Sequence, residues 1–481
     1  MQTGHRYRCY PTPAQAKILL QWIGCQRYIY NAKVQEDRYF RRFARRSLAH
    51  TGQFAPIDQQ YAQFKTEDNP WLKDCPSQIL RNGAYKWKQA YKRYFQKLGG
   101  RPTIHQKHGK QSVWITSELF NFTPVIDSET GEITNYLLHL GTIKTKLGLL
   151  DFKAHNSLKD LKPPASIHIS IHAGSWYLSF NSEDGTIEPR ESETVEYLMQ
   201  YSESELLSQT LGLDRGVNIP LATSDGRAFG FTDIQLKSLS KQDKHRKRWQ
   251  KRLARCTKGS IRREKAKRRA AGHSRYAVDV RRDIAHKTSN TLAADDRYKL
   301  FVFEDLKVKN MTATAKGTVD EPGKKVRQKA GLNRSILGSM WGQTRVYLSY
   351  KAKRNGKLCI SIAPHYSSQE CAACGHIHKD NRISQSEFVC LSCKYTDHAD
   401  INAGKVIAKR GVQFLLSGAW LDKKKAGEVK KKGRGGMLRT GDDVVKSKVI
   451  NARGDADKTQ VGSNTLSLRS LNRETPATGL P

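Results

Sequence analysis

The sequence predicts a mixed α/β chain of several domains, and three observations carry that reading. Near the amino end, Ile18, Trp22, Cys25 and Ile29 recur at helical spacing. Further on, Ile167, Ile169 and Ile171 alternate with polar residues, Ala173-Gly174 turns, and Trp176, Leu178 and Phe180 alternate back, which is the pattern of a β-hairpin. In the second half, short apolar runs end in acids and alternate with helical stretches, the pattern of an open α/β sheet. With 481 residues the chain has room for about two to four ordinary cores.

Charge narrows the function. Lys and Arg number 84 against 45 Asp and Glu, a formal net charge of +39. Such a chain repels itself unless a polyanion neutralises it, and basic residues interleaved with aromatics favour nucleic acid over an anionic membrane surface. The start, Met-Gln-Thr-Gly-His-Arg-Tyr-Arg, is polar and carries no secretory pattern. No run approaches the roughly 18 apolar residues of a membrane span. Of nine cysteines, five are scattered and four clustered, which excludes a disulfide framework and suits a reducing cytoplasm, with the chain near the nucleoid.

Taken in order, residues 1–10 read as a strand through Arg6-Tyr7-Arg8. Thr12 followed by Pro13 makes an N-cap with proline in the first turn, so a helix should run to about Arg45. A second, basic and aromatic helix is expected over about Ser77 to Leu98, closed by Gly99-Gly100, and residues 11–110 form a helical lobe. Residues 111–181 form a small barrel or sandwich. The stretch 182–206, with eight acids and the single base Arg190, reads as a linker. Residues 207–410 form the α/β core. From 411 to 481 the composition decays to Lys, Gly and Ser and predicts a disordered basic tail. Within the core, residues 237–282 hold nineteen Lys/Arg against three acids, a helical hairpin broken near Gly259-Ser260. Its charge density exceeds what solubility needs, and Arg246, Lys247, Arg248, Arg262 and Arg263 are candidate phosphate contacts.

Two kinds of metal site are legible. Cys371, Cys374, Cys390 and Cys393 form two C-x-x-C turns fifteen residues apart, the spacing that presents four thiolates to one structural Zn²⁺. Asp214 and Glu304 each end an apolar strand, and Asp400 opens a helix. Three acids at one sheet edge can hold two Mg²⁺ ions. Singly, each acid also has a plain explanation as a cap or an ion-pair partner.

The runs GLDRGVN around Asp214, FEDLKVKNM around Glu304, HYSSQECAACG entering the cysteine knuckle, NRISQSEFVC within it and DHADINAG around Asp400 resemble the TnpB family. These are RuvC-type nucleases encoded by insertion sequences, related to compact type V CRISPR effectors. The likeness is close over about 206–410 and loose before it, through YPTPAQ and RP. It implies an RNase H-like (RuvC) nuclease core with a zinc ribbon inserted at 365–396, a helical recognition lobe and a wedge-like β-barrel. It also implies a guide RNA directing cleavage of double-stranded target DNA beside a short flanking motif. The resemblance assigns Asp214, Glu304 and Asp400 as the catalytic, Mg²⁺-binding acids. The chain departs from the family at Lys394, where glycine commonly follows the fourth cysteine, and at Gly404, where alanine is common. Asp397, three residues before Asp400, stays open as the third ligand. Arg382, on the knuckle, is a candidate DNA contact. Alternatives are a type V CRISPR effector, a nuclease-inactive RNA-guided DNA-binding protein and a guide-independent zinc-ribbon factor.

Overall fold

The computed structural model describes residues 2–44, 57–107, 109–141, 147–154, 162–183, 185, 187, 189–318 and 320–420. The expected tail beyond residue 420 lies outside them. The architecture is mixed α/β.

Strand β1 (Gln2–Cys9) enters helix α1 (Pro13–Tyr39) through the expected cap, where Thr12 Oγ1 accepts from Gln15 N at 3.3 Å. The Gln15 amide then donates to the carbonyls of Leu147 and Leu149, fastening the helix start to chain 132 and 134 residues away. Helix α2 (Ser77–Phe95) packs against α1, and the amide of Gln26, buried between them, donates to Ile79 O and Trp114 O. Seven strands follow: β2 (Gln111–Thr116), β3 (Phe120–Ile126), β4 (Ile133–Leu140), β5 (Gly148–Leu150), β6 (Phe152–Lys153), β7 (Ser166–His172) and β8 (Ser175–Glu183). They form a five-stranded sheet in the order β2-β7-β8-β1-β6 and a three-stranded sheet β3-β4-β5. The hairpin read from the alternation is β7-β8, paired from Ile167↔Phe180 to His172↔Ser175. Among the described residues neither sheet closes on itself, so the barrel is met by two open sheets. They share one apolar core with the helices, from Trp22 and Ile29 to Val113, Leu138 and Phe180.

The acidic stretch continues into helices α3 (Glu191–Leu198) and α4 (Glu203–Ser208). Four of their five acids are exposed, while Val195, Leu198 and Leu206 are buried against the next sheet. That sheet has the order β11-β10-β9-β12-β13: β9 (Thr210–Asp214), β10 (Leu221–Thr223), β11 (Ala228–Phe229), β12 (Leu300–Glu304) and β13 (Leu358–Ile362). Strand β12 runs parallel to both β9 and β13. Between β11 and β12 lies the basic hairpin, α5 (Asp233–Arg255) and α6 (Ile261–Ala294), turning at Gly259 with φ +86°. After β12 come α7 (Val308–Met311), α8 (Val326–Gly338) and α9 (Trp341–Arg354). The cysteine knuckle follows β13, with strands β14 (Glu387–Val389) and β15 (Thr396–His398), and leads into α10 (Ala399–Leu416). Helix α10 passes the expected boundary at 410 because Val412 and Leu415 are buried in the core.

Three layers result. Leu211, Leu213, Phe301 and Phe303 face α6 and α9, through Leu292, Ala293, Leu348 and Ala352. Leu300 and Val302 face α10, through Ile407, Val412 and Leu415, with α3 and α4 beside it.

Candidate active site and metal centre

Strand alternation sets where the acids go. Leu213 and Phe303 are paired in register and face α6 and α9, so Asp214 and Glu304, one residue on, face α10 from adjacent strands. Helix α10 comes in close at one contact. A Cβ on Gly212 would stand 1.9 Å from Gly404 O, and one on Gly404 would stand 2.9 Å from Ser224 N. Asp214 lies two residues beyond Gly212 on the same strand face, and Asp400 lies one helical turn before Gly404. The glycine contact therefore brings the third acid to the first two.

Electrostatics reports the same convergence. Burial first, then the charges of Glu304 and Asp400, pushes the Asp214 carboxyl up to about 7. Glu304 is 7% exposed and accepts from the Ser367 hydroxyl. Asp400 pairs with Arg382 at 3.2 Å, and Arg382 also donates to the carbonyls of Ser384 and Gln385. Behind the acids, Arg215 is 6% exposed, donates to Glu304 O and lies 5.4 Å from the Phe303 ring centre; burial pulls it down to about 10. Asp397 is engaged elsewhere, with Lys405 at 2.8 Å and the Tyr395 hydroxyl at 2.7 Å. Buried, like-charged hard oxygens suit a hard divalent cation. The three acids are nonetheless set wider than the cysteines, the one group among the described residues whose ligand atoms all lie within 4.8 Å.

The four sulfurs fit zinc. Zn–S bonds of about 2.3 Å put sulfurs about 3.8 Å apart on a tetrahedron. Cys371 and Cys393 stand 3.7 Å apart, and Cys374 and Cys390 stand 3.6 Å apart. The two halves repeat one turn: Gly375 N donates to Cys371 O, and Lys394 N donates to Cys390 O. Both turns need a left-handed residue, Gly375 at φ +77° and Lys394 at φ +60°. That is the physical reason glycine suits position 394, and lysine there costs about 1–2 kcal/mol.

The candidate phosphate contacts divide. Arg248 and Arg262 are exposed on the hairpin. Arg246 and Lys247 share Asp243, at 3.1 Å and 2.8 Å. Arg263 is spent on the turn, donating to the carbonyls of Leu253 and Cys256. Sequence reading missed Ser367, Arg215 and Asn402. Each lies inside a run quoted above, Arg215 in GLDRGVN, Ser367 in HYSSQECAACG and Asn402 in DHADINAG, but nothing local to those runs names its partner.

The chain resembles known proteins along most of its length. The family described as Probable transposase matches residues 194–315, the Cas12f1-like TNB domain matches 341–407, and a helix-turn-helix domain matches 1–38. The chain is 33% identical over 353 residues to a protein of Escherichia coli K12 named Putative RNA-guided DNA endonuclease InsQ, covering 73% of this chain and 78% of that one. It is 24% identical over 416 residues to a Putative RNA-guided DNA endonuclease of Streptomyces pristinaespiralis, covering 86% and 90%. Among solved structures, a Cas12f1–sgRNA–target DNA complex aligns at a TM-score of 0.49 and 12% identity, covering 85% of this chain and 98% of that one. On the strength of its likeness to the Escherichia coli relative, the chain belongs to the TnpB family, the insertion-sequence relatives of compact type V effectors.

Proposed function

We propose that this protein is an RNA-guided, Mg²⁺-dependent DNA endonuclease whose acids are Asp214, Glu304 and Asp400. The endonuclease reading comes with the family, since two relatives spanning most of this chain are named RNA-guided DNA endonucleases. One observation carries the site: the Gly212–Gly404 contact brings Asp400 towards Asp214 and Glu304 on adjacent strands, and burial first, then the charges of Glu304 and Asp400, raises the Asp214 carboxyl. Two carboxylates at the carboxyl ends of parallel strands, met by a third from the first turn of α10, have a use for divalent cations and little structural benefit.

Asp214, on the central strand, would hold the divalent cations together with Glu304 and Asp400. When bound, two Mg²⁺ ions supply an activated water and stabilise the leaving oxygen of a phosphodiester. The chain's own residues hold the acids still: Ser367 fixes Glu304, Arg215 neutralises the layer behind, and Arg382 orients Asp400. Cys371, Cys374, Cys390 and Cys393 hold one structural Zn²⁺, supported by sulfur spacings close to those of a zinc tetrahedron. We read the three-layer half as the RuvC-like core, the knuckle as its zinc-ribbon insert and the two open sheets as the wedge region. The exposed cations of the α5–α6 hairpin, Arg248 and Arg262 among them, support guide RNA and target DNA as partners.

The test is plasmid cleavage by the protein with its copurified RNA, comparing wild type with Asp214→Ala, Glu304→Ala and Asp400→Ala. Each variant should lose cleavage while keeping RNA. Full activity in Asp214→Ala or Glu304→Ala overturns the assignment. Cleavage that survives Asp400→Ala and is lost in Asp397→Ala hands the third position to Asp397.

A further inference from the structure

One turn of helix, the start of α10, is shared by the two metal centres. Ala399 is fully buried in a cluster with Cys371, Cys390 and Phe388, so the residue before Asp400 packs against two of the four sulfur-bearing side chains. Its N–H donates to Ser386 O, on the segment entering β14. Two residues beyond Asp400, Asn402 is also fully buried. Its carboxamide clamps the first C-x-x-C turn on both sides of Cys371, accepting from Ala372 N at 2.9 Å and donating to Glu370 O at 2.8 Å. Further along the helix, Lys409 donates to Ala372 O, and Arg410 pairs with Glu370. From the other side of the knuckle, Arg382 reaches Asp400 itself. Asp400 is thus held between residues whose positions the cysteine knuckle dictates, close enough for its charge to act on Asp214.

We infer that the zinc knuckle is the positioning device of the catalytic cation site: its fold, transmitted through Asn402 and the first turn of α10, sets how tightly the acids bind divalent cations. Asn402 is a positioning residue and touches neither cation. The inference rests on reading Asp214, Glu304 and Asp400 as a cation site. Groups that orient metal ligands in this way typically change affinity about 10–100-fold when removed.

The experiment is calorimetric titration of Mn²⁺ into the full chain stripped of nucleic acid by salt, with zinc measured by elemental analysis on the same sample. Asn402→Ala should keep its zinc and bind Mn²⁺ at the acid site about tenfold more weakly. Its cleavage should recover towards wild type as Mg²⁺ is raised, which a misfolded fraction would not do. Zinc retained with wild-type Mn²⁺ affinity overturns the inference. If Asn402→Ala fails to fold or arrives without zinc, Lys409→Ala decides. Lys409 loosens the same turn from a less buried position, and losing its positive charge would by itself strengthen cation binding. Weaker Mn²⁺ binding with zinc retained therefore supports the inference, and unchanged or tighter binding overturns it. Asp214→Ala separates the two levels: if that variant binds Mn²⁺ as wild type does, the reading of the acids fails and not the coupling.

Discussion

Glu304 illustrates how little of a site's precision lives in the ligand itself. Its strand delivers it to the edge, but the Ser367 hydroxyl, on a side chain 4% exposed, selects which way the carboxylate turns. Ser367→Ala removes that bond without changing charge or opening a large cavity. The variant should fold, and its initial cleavage rate at limiting Mg²⁺ should fall about tenfold, with partial recovery when Mg²⁺ is raised. A Mg²⁺-dependence identical to wild type would show that the hydroxyl has no part in orienting Glu304. The contrast with sequence reading is instructive at this scale. Asp214 and Glu304 were legible because each terminates a run of buried apolar residues, a local pattern. Ser367 and Asn402 were not, because their partners lie 63 and 30 residues away and only the fold brings them together.

Among the elements, α10 does the most, since it covers the sheet, carries Asp400 and braces the knuckle. Its approach is limited by backbone, because Gly212 on β9 meets the Gly404 carbonyl with no room for a Cβ. Gly212→Ala must push the helix off the strand, and overpacking of this kind costs about 1–3 kcal/mol. The displacement separates Asp400 from Asp214, so cleavage should fall by more than the loss of folded protein explains. Urea denaturation together with cleavage per folded molecule tests this, and a stable, fully active Gly212→Ala would overturn the close-contact argument. Gly404→Ala should be milder, since its nearest neighbour is 2.9 Å away. Elements differ in legibility for a physical reason. Strands β9 and β12 end at the acids that close their apolar runs, and the α5–α6 hairpin turns at the expected glycine. The acidic stretch read as a linker contains α3 and α4, because five acids on these helices obscured the three apolar residues they bury, Val195, Leu198 and Leu206.

At the scale of the whole molecule, a formal net charge of +39 bears on stability as well as on partners. Like charges in a compact state repel, and the repulsion is relieved either by a bound polyanion or by salt. The two remedies respond oppositely to ionic strength. In nucleic-acid-free protein, raising salt from about 0.05 M to about 0.5 M shortens the screening length and weakens the repulsion among exposed lysines and arginines. The melting temperature should therefore rise. In the RNA complex, the polyanion already neutralises much of the charge and stabilises the fold by binding it in preference to the unfolded chain. Salt weakens that binding steeply, because each phosphate contact releases condensed counterions. The melting temperature of the complex should start well above that of the free protein at low salt and converge on it as salt rises. Thermal unfolding of both forms across one salt series makes the comparison. A free protein that melts lower as salt rises would show that its cations are already paired within the fold. A complex whose advantage is independent of salt would show that RNA is held by something other than phosphate contacts, which would redirect attention from the basic hairpin to the exposed rings of the amino-terminal lobe, Tyr39, Phe43 and Phe95.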